Sequence, residues 1–92
     1  MLDMGKSNPE TVRVQLNYPP EVVEQPIIYR LIKEYGLIPN IRRANIEMKT
    51  GGFLFLELTG DRDSLSRALA WIQSTGIVLD SIGLDGNQEW VV

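Results

Sequence analysis

The sequence of 92 residues contains no cysteine and no histidine. The absence of cysteine excludes disulfides, thiolate nucleophiles, iron–sulfur clusters and zinc–thiolate sites, and the absence of histidine excludes histidine general bases and haem–histidine ligation. We therefore expect no metal site and no cofactor. No apolar run approaches the ~18–20 residues of a membrane span, and the N-terminal segment MLDMGKSNPE lacks the apolar centre of a signal peptide. These absences predict a cytoplasmic protein that inserts into no membrane.

The sequence also lacks a glycine-rich phosphate loop with its lysine, a cluster of metal ligands and a serine placed beside a base. Carboxylates are the only acid–base groups that remain, and Glu47 and Glu57 could face each other on adjacent strands. Arg13 and Arg43, interleaved with them, would more simply neutralise these carboxylates as cross-strand pairs. We therefore predict that the protein is not an enzyme.

The composition, 43% hydrophobic and 23% charged, is typical of one globular domain. We expect residues 1–10 to form a flexible tail, residues 11–84 the folded domain and residues 85–92 a C-terminal extension. Because the extension ends in Trp90-Val91-Val92, it predicts either a short extra strand or a segment that reaches a partner chain. The net charge of −3 argues against non-specific binding of nucleic acid.

Hydrophobic periodicity predicts six elements in the order strand, helix, strand, strand, helix, strand. Alternation predicts strands over residues 11–17, about 40–49 with Met48 pointing inward, a third strand that ends near residue 59, and 77–82. Thr50-Gly51-Gly52 predicts the hairpin turn that leads into the third strand. A period of 3.6 predicts helices over residues 26–35 and from Asp61 or Asp63 to Gly76. Two right-handed crossovers around a central hairpin predict an α+β ferredoxin-like sandwich, a four-stranded antiparallel sheet with both helices on one face.

The segment GGFLFLEL places aromatic side chains on a sheet face that has no helix to cover it. Alternation sends Phe53 and Phe55 to one face and the leucines between them to the other, which is the core. Gln15, Asn45 and Glu57 would surround the phenylalanines with a polar rim, as at many protein interfaces. We therefore predict an interface, whose residues are Gln15, Phe53, Phe55 and Glu57.

RNA binding through the same aromatic face is an alternative. RNA-recognition modules share this strand order and stack bases on aromatic residues of a G-F-x-F-like strand, which Gly52-Phe53-Leu54-Phe55 resembles. Arg13 stands where such modules carry the complementary aromatic residue, Gly51 stands where they carry a basic one, and the chain is acidic. Nucleic acid is therefore the less favoured partner. A purely structural subunit that docks onto a larger complex is the third hypothesis.

The segment LIPNIRRAN offers polar groups at the start of a strand. Asn40 can give a small ligand both a donor and an acceptor, although the same amide could instead satisfy the backbone of the turn. Arg42 and Arg43 are adjacent, so in a regular strand their guanidinium groups would point to opposite faces and would not converge. A single arginine could still pair with a ligand carboxylate.

Residues 11–82 as a whole resemble the NIL domain, the C-terminal regulatory module of ATP-binding subunits in methionine-import ABC transporters, which also occurs beside ferredoxin modules. Asn40-Ile41 matches the first two letters of its motif, with Arg42 in place of the leucine. Ala44-Asn45-Ile46 is similar to the small-x-isoleucine that follows, and GGFLFLELTGD is similar to the segment from the hairpin to the second helix.

This resemblance implies a ferredoxin-like fold, association through sheet surfaces or edges, and methionine binding near the motif as feedback inhibition. We therefore expect a stand-alone regulatory domain that forms a homodimer and binds an amino acid. The expected ligand contacts are Asn40, Ile41, Arg43 and Asn45. Because the chain has neither an ATPase loop nor cysteine, we expect its transporter or ferredoxin-type partner to be a separate protein chain that it contacts in trans.

Overall fold

The computed structural model describes residues 9–83, and its elements follow the predicted order. The strands are β1 (Glu10–Tyr18), β2 (Ile38–Glu47), β3 (Gly51–Gly60) and β4 (Val78–Gly83), and the helices are α1 (Ile27–Lys33) and α2 (Arg62–Ser74). A short 3-10 helix, Pro20–Val22, was not predicted and follows β1. Residues 1–8 of the expected tail and the expected extension 85–92 lie outside the described residues.

The four strands form one antiparallel sheet in the order β2-β3-β1-β4. β1 and β3 are the central pair, while β2 and β4 are the two edges. Because β3 follows β2 through a hairpin and each helix connects two strands that have one other strand between them, this order is the one that the ferredoxin-like topology requires. The predicted fold is confirmed.

The core lies between the sheet and the two helices. β3 contributes Leu54, Leu56 and Leu58, of which the last two are completely buried. They pack in one cluster with side chains from β1 and from both helices: Val14, Leu16, Ile27, Leu31, Leu65, Ala68 and Ile72. Full burial of one such side chain stabilises the fold by about 1.5–3 kcal/mol, so this cluster fixes which face of β3 points inward.

Asp61, one of the two N-caps that the sequence allowed, is the N-cap of the second helix. The Asp61 carboxylate accepts hydrogen bonds from the backbone N–H and the hydroxyl of Ser64, at 2.8 and 3.1 Å. Asp63 lies inside the first turn and instead accepts a hydrogen bond from Arg67 at 3.0 Å. Within residues 9–83, neither helix is both long and apolar enough to cross a membrane.

The hairpin between β2 and β3 lies earlier than the sequence suggested. The turn was expected at residues 50–52, but Glu47 pairs with Gly51, so residues 48–50 form the loop. Met48, predicted to point inward, is therefore 59% exposed. Gly51 has φ +79°, and a left-handed glycine at this position closes a three-residue hairpin loop.

Gly51 and Gly36 give a matched test of this geometry. Both have positive φ, but a Cβ at Gly51 would collide with the carbonyl oxygen of Tyr18, whereas one at Gly36 would meet no atom within 4 Å. We expect Gly36→Ala to lower the free energy of unfolding by about 1 kcal/mol and Gly51→Ala by about 3 kcal/mol. Urea unfolding measures both, and equal losses would show that the hairpin does not pack as described.

Candidate functional site: the open face of the sheet

The open face is the surface of the sheet that points away from the helices. Cross-strand pairing arranges most of its side chains in three rows that begin on β2 and run across the sheet. The polar row is Asn40, Glu57 and Arg13. The central row is Arg43, Phe55, Gln15 and Asp80. The amide row is Asn45, Phe53, Asn17 and Val78.

The two phenylalanines lie at the centre of this surface, as predicted. The centroids of Phe53 and Phe55 are 5.1 Å apart, with an angle of 49° between the rings. Both side chains remain partly exposed. Such a tilted pair stabilises by about 0.5–1.5 kcal/mol beyond its burial, which holds the rings as one apolar platform.

The Glu57 carboxylate organises the polar row. Arg13 Nε donates to Glu57 Oε2 at 3.3 Å, and Asn40 Nδ2 donates to Glu57 Oε1 at 3.4 Å. Arg42 Nη1 lies 3.9 Å from the same Oε1. Because the Glu57 side chain is only 19% exposed, solvent screens these contacts less than it screens an ordinary surface pair. One carboxylate therefore faces two guanidinium groups.

A β-bulge explains how Arg42 reaches Glu57. The register between β2 and β3 shifts between Ile41 and Arg43, so Arg42 is the extra residue of the edge strand. The expectation that the two arginines would diverge assumed a regular strand, and that assumption is wrong. Arg42 contacts Glu57, and Arg43 lies in the central row opposite Phe55. Both arginines therefore belong to the open face.

The carboxylate pair considered as acid–base equipment is not formed. Glu47 pairs with Gly51, whereas Glu57 lies six residues further along β3, a distance of about 20 Å. The Glu47 carboxylate accepts a hydrogen bond from Thr50 inside the hairpin loop. Arg13 does neutralise Glu57, as the sequence suggested, but Arg43 does not neutralise Glu47.

The two ends of the central row carry charges that form no ion pair within the described part of the chain. Arg43 makes no hydrogen bond and no ion pair with any residue of the described range 9–83. Asp80 accepts one hydrogen bond, from Asn17 Nδ2 at 3.1 Å, and Asn17 in turn accepts one from Gln15 Nε2 at 2.7 Å. Asp80 was not predicted as a site residue, although the alternation of Val78-Leu79-Asp80 could have indicated it.

Most of the predicted site residues lie on this one face. Gln15, Phe53, Phe55 and Glu57, predicted as interface residues, occupy its middle two strands. Of the predicted ligand contacts, Asn40, Arg43 and Asn45 follow one another along β2 on the open face. Ile41 pairs with Leu56, so its side chain points to the helix side, where it is 49% exposed.

The sequence profile of the NIL domain matches residues 12–80. This range contains both helices and all or part of each of the four strands. The chain belongs to the NIL domain family. The resemblance seen in the sequence is thereby confirmed.

One protein is similar to the chain in sequence, and one solved structure is similar to it in fold. The methionine import ATP-binding protein MetN 2 of Lactiplantibacillus plantarum is 33% identical over 69 residues, covering 72% of this chain and 20% of that protein. The chain thus spans about a fifth of the length of this relative. The crystal structure of the C-terminal domain of an ABC transporter/ATP-binding protein from Enterococcus faecalis superimposes with a TM-score of 0.70 at 24% identity, covering 84% of this chain and 86% of that one. At this identity the likeness supports the fold.

The open face of the NIL domain differs from that of an RNA-recognition module. Such modules stack bases on aromatic residues of both central strands. In the described part of this chain, β3 provides Phe53 and Phe55, whereas the position opposite Phe55 on β1 is Gln15 and the next one is Arg13. The surface therefore has an aromatic platform on only one of the two strands.

The role of Glu57 in this NIL domain can be tested against an exposed ion pair. Glu57→Gln would leave Arg13 and Arg42 close together without their shared carboxylate, so we expect a loss of about 1–2 kcal/mol in the free energy of unfolding. Asp63→Asn removes the carboxylate of an exposed i, i+4 pair with Arg67 and should cost about 0.5 kcal/mol or less. Urea unfolding at low salt compares the two variants, and a loss for Glu57→Gln no larger than that for Asp63→Asn would contradict the network.

Proposed function

We propose that this NIL domain is a non-catalytic regulatory domain that binds an amino acid of the methionine type on its open face. The observation that carries the proposal is the position of Arg43 beside Phe55, with no partner for its guanidinium group among residues 9–83. Asn40 and Asn45 lie one row away on either side along β2. A cation, amide groups and an aromatic surface are the parts that an apolar amino acid needs in order to be recognised.

Each part of the ligand has a counterpart on this surface. Arg43 offers its N–H donors to the ligand carboxylate, for which a guanidinium group is the strongest partner. Asn40 uses its Nδ2 on Glu57, which leaves its Oδ1 to accept a hydrogen bond from the ligand ammonium group. A thioether side chain would lie over Phe55, where sulfur–aromatic contacts are favourable. Asn45 would close the site beside Phe53.

The name of the relative supports methionine as the ligand to test first, because that protein is a methionine import ATP-binding protein. In this proposal, the domain reports the amino-acid level to an ABC transporter ATP-binding subunit in the cytoplasm. A ferredoxin-type partner is the second candidate, since NIL domains also occur beside ferredoxin modules.

Calorimetry with L-methionine tests the ligand site. We expect the unaltered domain to bind and Arg43→Gln to bind at least tenfold more weakly, because a charge-assisted hydrogen bond contributes about 1.5–3 kcal/mol. Arg67→Gln is the matched control, since Arg67 lies on α2 and pairs with Asp63. This control should bind as the unaltered domain does.

A ligand without a carboxylate makes the same test sharper. L-Methioninol carries an alcohol in place of the carboxylate, so the unaltered domain and Arg43→Gln should bind it equally weakly. Tight binding of L-methionine by Arg43→Gln would reject the assignment of Arg43 to the carboxylate. Absence of heat with L-methionine at millimolar concentration would reject methionine as the ligand.

We also propose that the open face joins two copies of the domain. Phe53 and Phe55 form its apolar centre. Ile38 and Val78 are further exposed apolar residues on the two edge strands of the same face, 67% and 60% exposed. A domain of this size buries only about 60–65% of its unfolded surface by itself, so further burial stabilises it appreciably. The polar groups around the phenylalanines give the apolar centre with a polar rim that protein interfaces commonly have.

Paired substitutions on the two sides of the molecule test this association. Phe53→Ser with Phe55→Ser should convert the dimer to a monomer in sedimentation velocity experiments while circular dichroism still shows a folded protein. Tyr29→Ser with Ile32→Ser is the control, because these residues are 59% and 51% exposed on α1, away from the open face. The control should stay dimeric, and a Phe53/Phe55 variant that also stays dimeric would refute association through this face.

A further inference from the structure

The central row places unlike charges at opposite edges of the sheet. Arg43 lies on β2 and Asp80 on β4, with Phe55 and Gln15 between them. Three interstrand spacings separate these charges, about 14 Å, so they cannot pair within one chain. Neither has an oppositely charged partner among residues 9–83.

The polar row repeats the pattern in the opposite sense. Glu57 on β3 and Arg13 on β1 lie on either side of the middle of the sheet. The β2–β3 half of the face therefore presents Arg43 and Glu57, while the β1–β4 half presents Asp80 and Arg13 in the same two rows. Within these two rows, each charge in one half has a charge of the opposite sign at the corresponding place in the other half. Arg42, the extra residue of β2, lies outside the rows beside Glu57.

We propose that two copies pack face to face around a two-fold axis that runs parallel to the strands, between β3 and β1. This inference rests on the proposed association and specifies its geometry. A rotation about this axis lays β2 over the partner's β4 and β3 over the partner's β1, and it keeps each row above the same row. Arg43 then meets the partner's Asp80, and this contact occurs twice. Glu57 keeps its ion pair with Arg13 of its own chain and lies opposite the partner's Arg13.

The same charges disfavour the other two-fold arrangement. An axis in the plane of the interface but perpendicular to the strands would keep β2 over β2 and β4 over β4. Arg43 would then lie over the partner's Arg43 and Asp80 over the partner's Asp80, and juxtaposed like charges oppose association. Charge complementarity therefore selects the axis, while the phenylalanines provide the apolar contact.

The interchain pair is compatible with the proposed ligand site. A guanidinium group has five N–H donors, and a bidentate pair with a carboxylate uses two of them. Arg43 can therefore contact the partner's Asp80 and still donate to a ligand carboxylate. The ligand site would then lie at the edge of the dimer interface.

Charge exchange within one chain distinguishes this geometry from the other. Arg43→Glu alone and Asp80→Arg alone would each replace two attractive contacts by two repulsive ones, so we expect dimer dissociation constants about five- to thirtyfold higher. The combined variant Arg43→Glu/Asp80→Arg restores both attractive contacts with their signs reversed, and its constant should return to within about threefold of the original. The effects should shrink at 0.5 M salt.

The arrangement with a perpendicular axis predicts a different result. There each single variant replaces one contact between like charges by another such contact, and the combined variant creates no attractive contact, so its dissociation constant should not return towards the original. A combined variant that dissociates as readily as the single ones would overturn the proposed axis, although the dimer itself would stand. Asp63→Arg with Arg67→Glu, a charge exchange on α2, is the matched control and should leave the constant unchanged. An unaltered domain that stays monomeric at high micromolar concentration would overturn the axis and the association together.

Discussion

Alternation of side chains along β3 is the constraint on which both surfaces of the domain depend. Leu54, Leu56 and Leu58 are buried beneath the helices. The residues that alternate with them, Phe53, Phe55 and Glu57, must therefore point to the opposite face. A shift of one residue would bury Glu57 and both phenylalanines and expose the leucines, at a cost that far exceeds any single contact on the open face. The packing of the core thus determines the position of the candidate site.

The charged residues of the open face fall into two groups, those that pair within the chain and those at its two edges. Glu57 is surrounded by Arg13, Arg42 and Asn40, so these groups stabilise the sheet and hold its surface in one arrangement. Arg43 and Asp80 lie at the two edges, and neither forms an ion pair with another residue of the described range. Such peripheral charges contribute more to the choice of partner and orientation than to the strength of binding.

The two proposals for this face are linked through Arg43. A ligand carboxylate and the partner's Asp80 would contact the same guanidinium group, so each changes the free energy of binding of the other by the same amount. If both proposals hold, the domain would convert an amino-acid concentration into a change in its own association. No movement within the sheet would be required, because the ligand would act directly at the contact between the copies.

The sequence alone determined the order of the elements, the inward face of each central strand and the outward position of Phe53 and Phe55, because these follow from local periodicity. It also identified the family, through the segment around Asn40 and the hairpin. Cross-strand register and the bulge at Arg42 were decided only by the tertiary structure, since both depend on hydrogen bonds between strands that are distant in the chain. That register separated Glu47 from Glu57, turned Ile41 away from Asn40, and placed Arg43 and Asp80 at the two ends of one row.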